Sequence, residues 1–172
     1  MRFLISAAGT GGHVFPALEF SAECIKNNHD VLWMGTKTGL ESRKVPEKNI
    51  QFMTVPMRGF RGKGLLNKFI SIFGLAASIG KTIIFLFQNK INFVVCFGGY
   101  ISLPVGIAAI LCRKQLILHE QNAVMGTSNK LLAPFAKIIF LGTPLATVSQ
   151  KNTQLVGNPI KNIANPVDDQ DA

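Results

Sequence analysis

The most informative stretch of this sequence for the fold is Phe3-Leu4-Ile5-Ser6-Ala7-Ala8-Gly9-Thr10-Gly11-Gly12-His13-Val14-Phe15-Pro16-Ala17. A mostly apolar run over 3–7 predicts a strand that is buried on both faces. Glycines follow at once, and a helical pattern begins at Phe15. Pro16 is expected in the first helical turn, where its missing N–H has no cost. A strand, a glycine loop and a helix in this order predict a βα unit.

The same alternation continues along the 172 residues. Strands are predicted over 3–7, 31–34, 52–55, 93–97, 116–118 and 138–141, and helices over 15–27, 38–44, 65–89, 102–111 and 126–134. Strands that alternate with helices predict an α/β fold, a Rossmann-like parallel sheet with helices on both faces. We expect one domain over residues 1–163 and a polar tail over 164–172.

The charge of the chain is strongly positive. It has 18 lysines and arginines against 9 acidic residues, a formal net charge of +9, and no acidic residue lies between Glu47 and Glu120. This asymmetry predicts an anionic partner, although a generally basic solvated surface is the alternative. Aromatic residues do not alternate with the basic ones as stacking on nucleic acid requires, so nucleic acid is not expected. Three cysteines without a C-x-x-C pair indicate a reducing compartment and no zinc site.

The candidate membrane span is the apolar segment 69–88, within the predicted helix that begins at 65. Lys81 interrupts its most apolar part, and the uncharged runs on either side are too short to span a bilayer, which needs ~20 residues. The first half of the segment lies close to several cations in the sequence. An apolar helix face with basic neighbours is typical of contact with an anionic membrane surface, whereas the alternative is a helix that covers the sheet. We assign 65–73 to the membrane and the later half to the core.

Three polar or glycine-rich loops follow predicted strands. They are Gly9–His13, Gly98-Gly99-Tyr100 and His119-Glu120-Gln121-Asn122. The first fits neither the dinucleotide fingerprint, because Val14 replaces its third glycine, nor the P-loop. Because the carboxyl ends of parallel strands open onto one crevice, we expect the three loops to form one site. The helix dipole is expected to lower the pKa of His13 and to keep it neutral, as a general base requires.

Several segments together resemble the MurG family of glycosyltransferases. They are 9–17 (GTGGHVFPA), 98–102 (GGYIS), 118–123 (LHEQNA) and 156–159 (VGNP), with Arg58-Gly59 and 61–64 (RGKG) similar to a basic loop of the family. Their order and spacing extend from residue 1 to about residue 163. Ala8 and Leu103 stand where the family often has glycine.

The resemblance implies the two-domain GT-B architecture, of which this chain matches the N-terminal half, with the donor domain absent. That half binds a lipid-linked acceptor, undecaprenyl-diphosphate-N-acetylmuramyl-pentapeptide, on the cytoplasmic face of the inner membrane. The implied reaction is inverting transfer of N-acetylglucosamine from UDP to the 4-hydroxyl of N-acetylmuramic acid. We expect no turnover by this chain alone. The alternative is a noncatalytic membrane-anchoring subunit of a split glycosyltransferase.

The resemblance also assigns roles to residues. Either His13 or Glu120 is the catalytic base, and the sequence does not separate the two. The implied contacts to the acceptor diphosphate are Thr10, Gly11, Gly12, Gly98, Gly99 and Tyr100. Sugar contacts are expected from Asn122 and His119. Membrane contacts are expected from Arg58, Arg61, Lys63, Leu65, Leu66, Lys68, Phe69 and Phe73. No metal or cofactor is expected.

Overall fold

The computed structural model describes residues 1–57, 65–146 and 152–160, with backbone only for 65–71. The strands are β1 Arg2–Ser6, β2 Asp30–Gly35, β3 Gln51–Thr54, β4 Phe93–Cys96, β5 Gln115–Glu120, β6 Ile138–Leu141 and β7 Thr153–Leu155. The helices are α1 Gly11–Lys26, α2 Glu41–Lys44, α3 Leu65–Gln88, α4 Ser102–Leu111 and α5 Thr127–Leu132. Short 3₁₀ turns at Pro46–Lys48 and Ala133–Phe135 follow α2 and α5.

All seven strands form one parallel sheet in the order β3-β2-β1-β4-β5-β6-β7. In its centre Ile5 pairs with Trp33 on one side and with Val95 on the other. The chain moves outward from β1 to β3 and then returns to place β4 beside β1. The order therefore reverses between β1 and β4, and a crevice opens there at the carboxyl ends of the strands. The predicted α/β fold is confirmed.

Two apolar layers cover the sheet. Alternate residues such as Leu4 and Val94 face the layer that contains α3 and α4. Their neighbours Ile5 and Val95 face the layer that contains α1. Because successive side chains of a strand point to opposite faces, a strand covered on both sides needs apolar residues throughout. This explains the continuous apolar runs of the sequence.

The first helix begins earlier than predicted. It starts at Gly11 instead of Phe15, so Pro16 lies inside α1 and not in its first turn. His13 and Val14 donate their backbone N–H groups to the carbonyl of Thr10 and close that turn. Glycine carries no side chain and leaves no periodic apolar pattern, which is why the start was misplaced. His13 consequently belongs to the first turn of the helix.

Other boundaries also differ from the predictions. The helix predicted over 38–44 is confined to α2, and the one predicted over 126–134 to α5 and the following 3₁₀ turn. The strand β7 was missed, since its three residues Thr153–Leu155 are too few to give a pattern. It extends the sheet beyond β6 and brings the segment 156–160 to the carboxyl edge.

The assignment of the later half of α3 to the core is partly wrong. Phe85 and Leu86 are buried against the sheet, but Ile84 is 58% exposed and Phe87 is 66% exposed. Phe73 is 74% exposed on the same helix. One side of α3 packs on the core and on α4, while the other carries apolar side chains in solvent. Within the described residues, no helix has the length and apolar character needed to cross a membrane.

Candidate functional site

The three predicted loops meet at the carboxyl edge of β1, β4 and β5. A cavity of about 510 Å³ is lined by His13, Gly98, Tyr100, Glu120 and Asn122, among others. A second cavity of about 530 Å³ is lined by residues of the first glycine loop. His13, Gly99 and Tyr100 line both cavities, so the two are parts of one depression, which we call the central groove. It occupies the crevice between β1 and β4.

His13 stands between the two parts of the central groove. Its Nδ1 lies 3.1 Å from Thr10 Oγ1. When Nδ1 carries the proton and forms a hydrogen bond to the hydroxyl oxygen of Thr10, the lone pair of Nε2 is free to accept a second proton. Burial lowers the pKa of His13, although the charge of Glu120 opposes this shift. The direction agrees with the prediction, but burial lowers the pKa here, whereas the prediction attributed the shift to the helix dipole. A neutral imidazole with a free Nε2 is suited to general base catalysis.

The second glycine loop packs tightly against the first loop and His13. Gly98 and Gly99 have φ of +99° and +79°, a region that other residues rarely adopt. A Cβ on Gly98 would lie 2.7 Å from Cδ2 of His13, and one on Gly99 would overlap the carbonyl oxygen of Ala8. Glycine is therefore required here both for backbone conformation and for close approach.

We predict that Gly99→Ala destabilises the fold more than Gly9→Ala does. Both glycines have a positive φ, but a Cβ on Gly9 meets no atom within 4 Å. Gly9→Ala should lower the free energy of unfolding by about 1–2 kcal/mol through conformation alone. Gly99→Ala should lower it by about 3 kcal/mol or more, since the clash with Ala8 adds to this strain. Urea unfolding measures both, and equal losses would contradict the packing described.

Glu120 anchors the third loop. It is 1% exposed, and its two oxygens accept four hydrogen bonds. Oε1 accepts from the backbone N–H and the side-chain amide of Asn122, at 3.1 and 3.0 Å. Oε2 accepts from the N–H of Gly126 at 2.9 Å and from the amide of Asn129 at 3.0 Å. A carboxylate has about four lone-pair sites, so the protein itself engages those of Glu120.

The structure places His119 beneath the central groove and not in its lining. The side chain is 3% exposed and stacks on Phe97 with ring centroids 5.0 Å apart. Its Nε2 donates to the carbonyl of Gly157 at 3.2 Å, while Nδ1 accepts from the amide of Gln121 at 3.1 Å. Burial lowers the pKa of His119. The histidine therefore connects β5 to the segment after β7.

Two buried residues of the site were missed by the sequence analysis. Glu41 accepts hydrogen bonds from the N–H and hydroxyl of Thr36, at 2.9 and 2.7 Å, and from the N–H of Gly9 at 3.3 Å. It holds the loop after β2 against the first glycine loop. Asn129 donates to Glu120 and to the carbonyl of His119. No signal in the sequence distinguishes these two from exposed polar residues of short helices.

Most of the predicted membrane-contact residues have no described side chain. Arg58, Arg61 and Lys63 lie outside the described residues. The residues Leu65, Leu66, Lys68 and Phe69 belong to α3, where only the backbone is described. Among the described residues, no group of three or more histidine, cysteine, aspartate or glutamate side chains is placed to hold a metal ion.

Comparison with known proteins adds a family. The glycosyltransferase family 28 N-terminal domain matches residues 3–141. The UDP-N-acetylglucosamine–N-acetylmuramyl-(pentapeptide) pyrophosphoryl-undecaprenol N-acetylglucosamine transferase of Acidithiobacillus ferrooxidans is 43% identical over 158 residues, which are 92% of this chain and 43% of that protein. The enzyme of the same name from Idiomarina loihiensis is 41% identical over 161 residues, 93% of this chain and 44% of that protein.

Solved structures agree with this match. The crystal structure of Acinetobacter baumannii MurG superposes with a TM-score of 0.79 and 34% identity, covering 88% of this chain and 44% of that one. The UDP-GlcNAc 2-epimerase of Methanocaldococcus jannaschii, at 14% identity and a TM-score of 0.65, covers 92% of this chain and 46% of its own and shares the fold alone. The chain thus spans somewhat less than half the length of the curated relatives that it matches.

Proposed function

The chain belongs to glycosyltransferase family 28 and carries a MurG-like N-terminal domain of that family, and from this premise we propose that its central groove binds a lipid-linked sugar acceptor. The acceptor is N-acetylmuramyl-pentapeptide diphosphoryl-undecaprenol, and the transferred group is N-acetylglucosamine from UDP. This proposal takes the substrates from the names of the relatives. The donor nucleotide sugar would be bound outside these 172 residues.

One observation supports the proposal above all others. His13, the second glycine loop and Asn122 line the same groove although they are up to 109 positions apart in the sequence. The groove lies at the strand-order reversal between β1 and β4, where open α/β sheets bind their ligands. The start of α1 offers the backbone N–H groups of Gly11 and Gly12 for a diphosphate, together with the positive end of the helix dipole.

We assign the role of base to His13. Its Nε2 takes the proton of the acceptor 4-hydroxyl while that oxygen forms a bond to C1 of N-acetylglucosamine. The bond between C1 and the UDP oxygen breaks, and UDP leaves with the electron pair. Attack opposite the leaving group inverts C1. Thr10 orients the ring through its contact with Nδ1 and thereby keeps Nε2 available.

Glu120 is assigned a positioning role. Its four hydrogen bonds fix the loop that presents Asn122 to the groove. Its charge also lies close enough to raise the pKa of His13, opposing burial, and would stabilise the imidazolium that forms when His13 takes the proton. Asn122 is exposed at the groove and is placed to contact the sugar.

The proposed function is tested with a water-soluble, short-chain acceptor analogue and radiolabelled UDP-N-acetylglucosamine. The chain is assayed alone and after addition of the C-terminal half of a family relative. We expect binding of the acceptor analogue by the chain alone, and transfer only after the second half is added. Tight binding of UDP-N-acetylglucosamine and no binding of the acceptor analogue by this chain would overturn the proposal.

We further propose that α3 contacts an anionic membrane, which would place the protein on the cytoplasmic face of the inner membrane. Ile72 and Phe73 are exposed near the start of the helix. Ile84 and Phe87 continue an exposed apolar surface toward its end. The sequence adds Arg58, Arg61, Lys63 and Lys68 nearby. Each cation close to an anionic surface contributes ~1 kcal/mol, reduced by salt.

This membrane contact gives a prediction for Phe73→Ser. The chain is expected to sediment with vesicles that contain phosphatidylglycerol, less so as salt is raised, and Phe73→Ser should weaken partitioning about fivefold through lost apolar burial. Phe135→Ser is the matched control. Phe135 is 62% exposed but precedes β6, at the opposite edge of the sheet. Equal partitioning of both variants and the unaltered chain would contradict the role of α3.

A further inference from the structure

A third cavity lies beside the central groove and has no role so far. Its volume is about 540 Å³, and it is a half-open depression lined by residues at the ends of β2 and β3 and on α3. The lining includes two lysines and three threonines: Lys37, Lys81, Thr36, Thr38 and Thr54. The apolar side chains of Val55 and Ala77 complete it. We call it the two-lysine cavity.

The carboxylate of Glu41 lies beside this cavity, where it accepts a hydrogen bond from the hydroxyl of Thr36 at 2.7 Å, but it forms an ion pair with neither lysine of the cavity. The side chain of Lys81 donates to the carbonyl of Thr54 at 2.7 Å, which fixes its ammonium group at the wall. In the part of the chain that the structure describes, neither Lys37 nor Lys81 has a carboxylate within ion-pair distance. The sequence contains no acidic residue from 48 to 119. Two unpaired ammonium groups in a cavity favour an anionic ligand.

The two-lysine cavity adjoins the central groove. Thr38 lines both the two-lysine cavity and the part of the groove formed by the first glycine loop. The hydroxyl of Thr36 lies 3.5 Å from that of Tyr100, which lines the groove. A ligand whose sugar occupies the groove can therefore extend a substituent past Thr38 into the cavity.

We propose that the two-lysine cavity binds the peptide of the acceptor through its carboxylate. The inference rests on the proposed function and adds a separate subsite to it. The volume is large for a phosphate alone, and hydroxyls together with apolar side chains suit a peptide backbone and its side chains. The ammonium groups of Lys37 and Lys81 pair with the carboxylate. The diphosphate has its own donors in the glycine loops.

The test measures the affinity of the chain for three water-soluble acceptor analogues by calorimetry. The first carries the pentapeptide, the second carries it with its carboxylates amidated, and the third lacks the peptide. Lys37→Gln and Lys81→Gln are the variants. Lys48→Gln is the matched control. Lys48 is exposed in the turn before β3, at the amino edge of the sheet, whereas the two-lysine cavity lies at the carboxyl edge, and its substitution changes the net charge by the same amount.

We expect Lys37→Gln to raise the Kd of the pentapeptide analogue about fivefold to tenfold and to change that of the other two less than about twofold. Lys81→Arg should retain most of the affinity that Lys81→Gln loses. The unaltered chain should bind the amidated analogue as weakly as Lys37→Gln binds the carboxylate form. Lys48→Gln should match the unaltered chain.

The outcomes separate this inference from the proposed function. If all analogues bind but no lysine variant discriminates between them, the peptide subsite is wrong and the acceptor groove stands. Equal weakening of the pentapeptide and peptide-free analogues would show that the lysines bind the diphosphate, which also overturns the inference. If the unaltered chain binds none of the analogues, the proposed function fails and the inference with it.

Discussion

Replacing His13 with alanine is expected to lower kcat/KM for sugar transfer by about 10²–10⁴-fold, the usual contribution of a positioned general base. The neutral imidazole is held by Thr10 with its Nε2 toward the central groove. Without it, the acceptor hydroxyl must lose its proton to water. The measurement is the transfer assay with the chain supplemented by the C-terminal half of a relative.

Two further variants serve as controls for the His13→Ala prediction. His13→Gln preserves side-chain volume beside Gly98 and should lose activity to the same extent while unfolding at a similar urea concentration. His29→Gln, at the far edge of the sheet before β2, should leave activity unchanged. If His13→Gln retains more than about a tenth of the activity, His13 is not the base.

The pH dependence has a definite sign. Burial lowers the pKa of His13 below its ordinary value of about 6.5, so the imidazole remains neutral as the pH falls to that value. We expect kcat/KM to fall as the pH decreases, with a midpoint below that of a histidine of ordinary pKa. Stability follows the same direction, because the unfolded chain takes up the proton first and the fold is destabilised as the pH falls through the lowered pKa.

The sheet and the glycine loops were predictable from the sequence because each has a local cause. A strand covered on both faces must be apolar throughout, as Ile5 and Val95 are. The loop at Gly98 and Gly99 must be glycine because His13 and Ala8 occupy the space of a Cβ. Both requirements arise from neighbours that are close along the chain or on adjacent strands, and each is met by only a few residue types. They can therefore be recognised in the sequence.

The position of His119 was not predictable, because it depends on strand length and packing. The sequence indicated a polar loop from His119 onward, but β5 continues to Glu120. Side chains alternate along a strand, so His119 lies on the same face as Ile117 and stacks on Phe97, while Glu120 turns to the other side. A shift of one residue in the end of β5 would exchange their positions.

The buried glutamates show a second limit of sequence reasoning. Glu41 and Glu120 are fully buried, and although the sequence analysis selected Glu120 as a candidate base, nothing in the sequence shows that either carboxylate is buried. Each accepts hydrogen bonds from backbone N–H groups: Glu41 from those of Gly9 and Thr36, and Glu120 from those of Asn122 and Gly126. Buried charge is tolerated where such donors converge, which only the folded arrangement reveals.

Glu120→Ala is expected to lower the free energy of unfolding by roughly 3–5 kcal/mol, the largest loss of stability that we predict. The substitution leaves the amide of the buried Asn129 and the N–H groups of Asn122 and Gly126 without their acceptor. Each unsatisfied donor costs about 1–3 kcal/mol, less where water reaches it. Urea unfolding at pH 7 measures the loss.

Glu120→Gln distinguishes a positioning role from a catalytic one. The amide of glutamine keeps one acceptor oxygen, but its NH₂ group faces hydrogen-bond donors that the second carboxylate oxygen had accepted from. We therefore expect the variant to lose about 1–3 kcal/mol of stability, and to bind the acceptor more weakly because the loop that carries Asn122 is held less firmly. Glu47→Gln is the control, because that carboxylate forms an exposed ion pair with Lys44 worth at most about 1 kcal/mol. A Glu120→Gln variant with unchanged stability and unchanged acceptor affinity but little turnover would contradict the positioning role and favour direct proton transfer by Glu120.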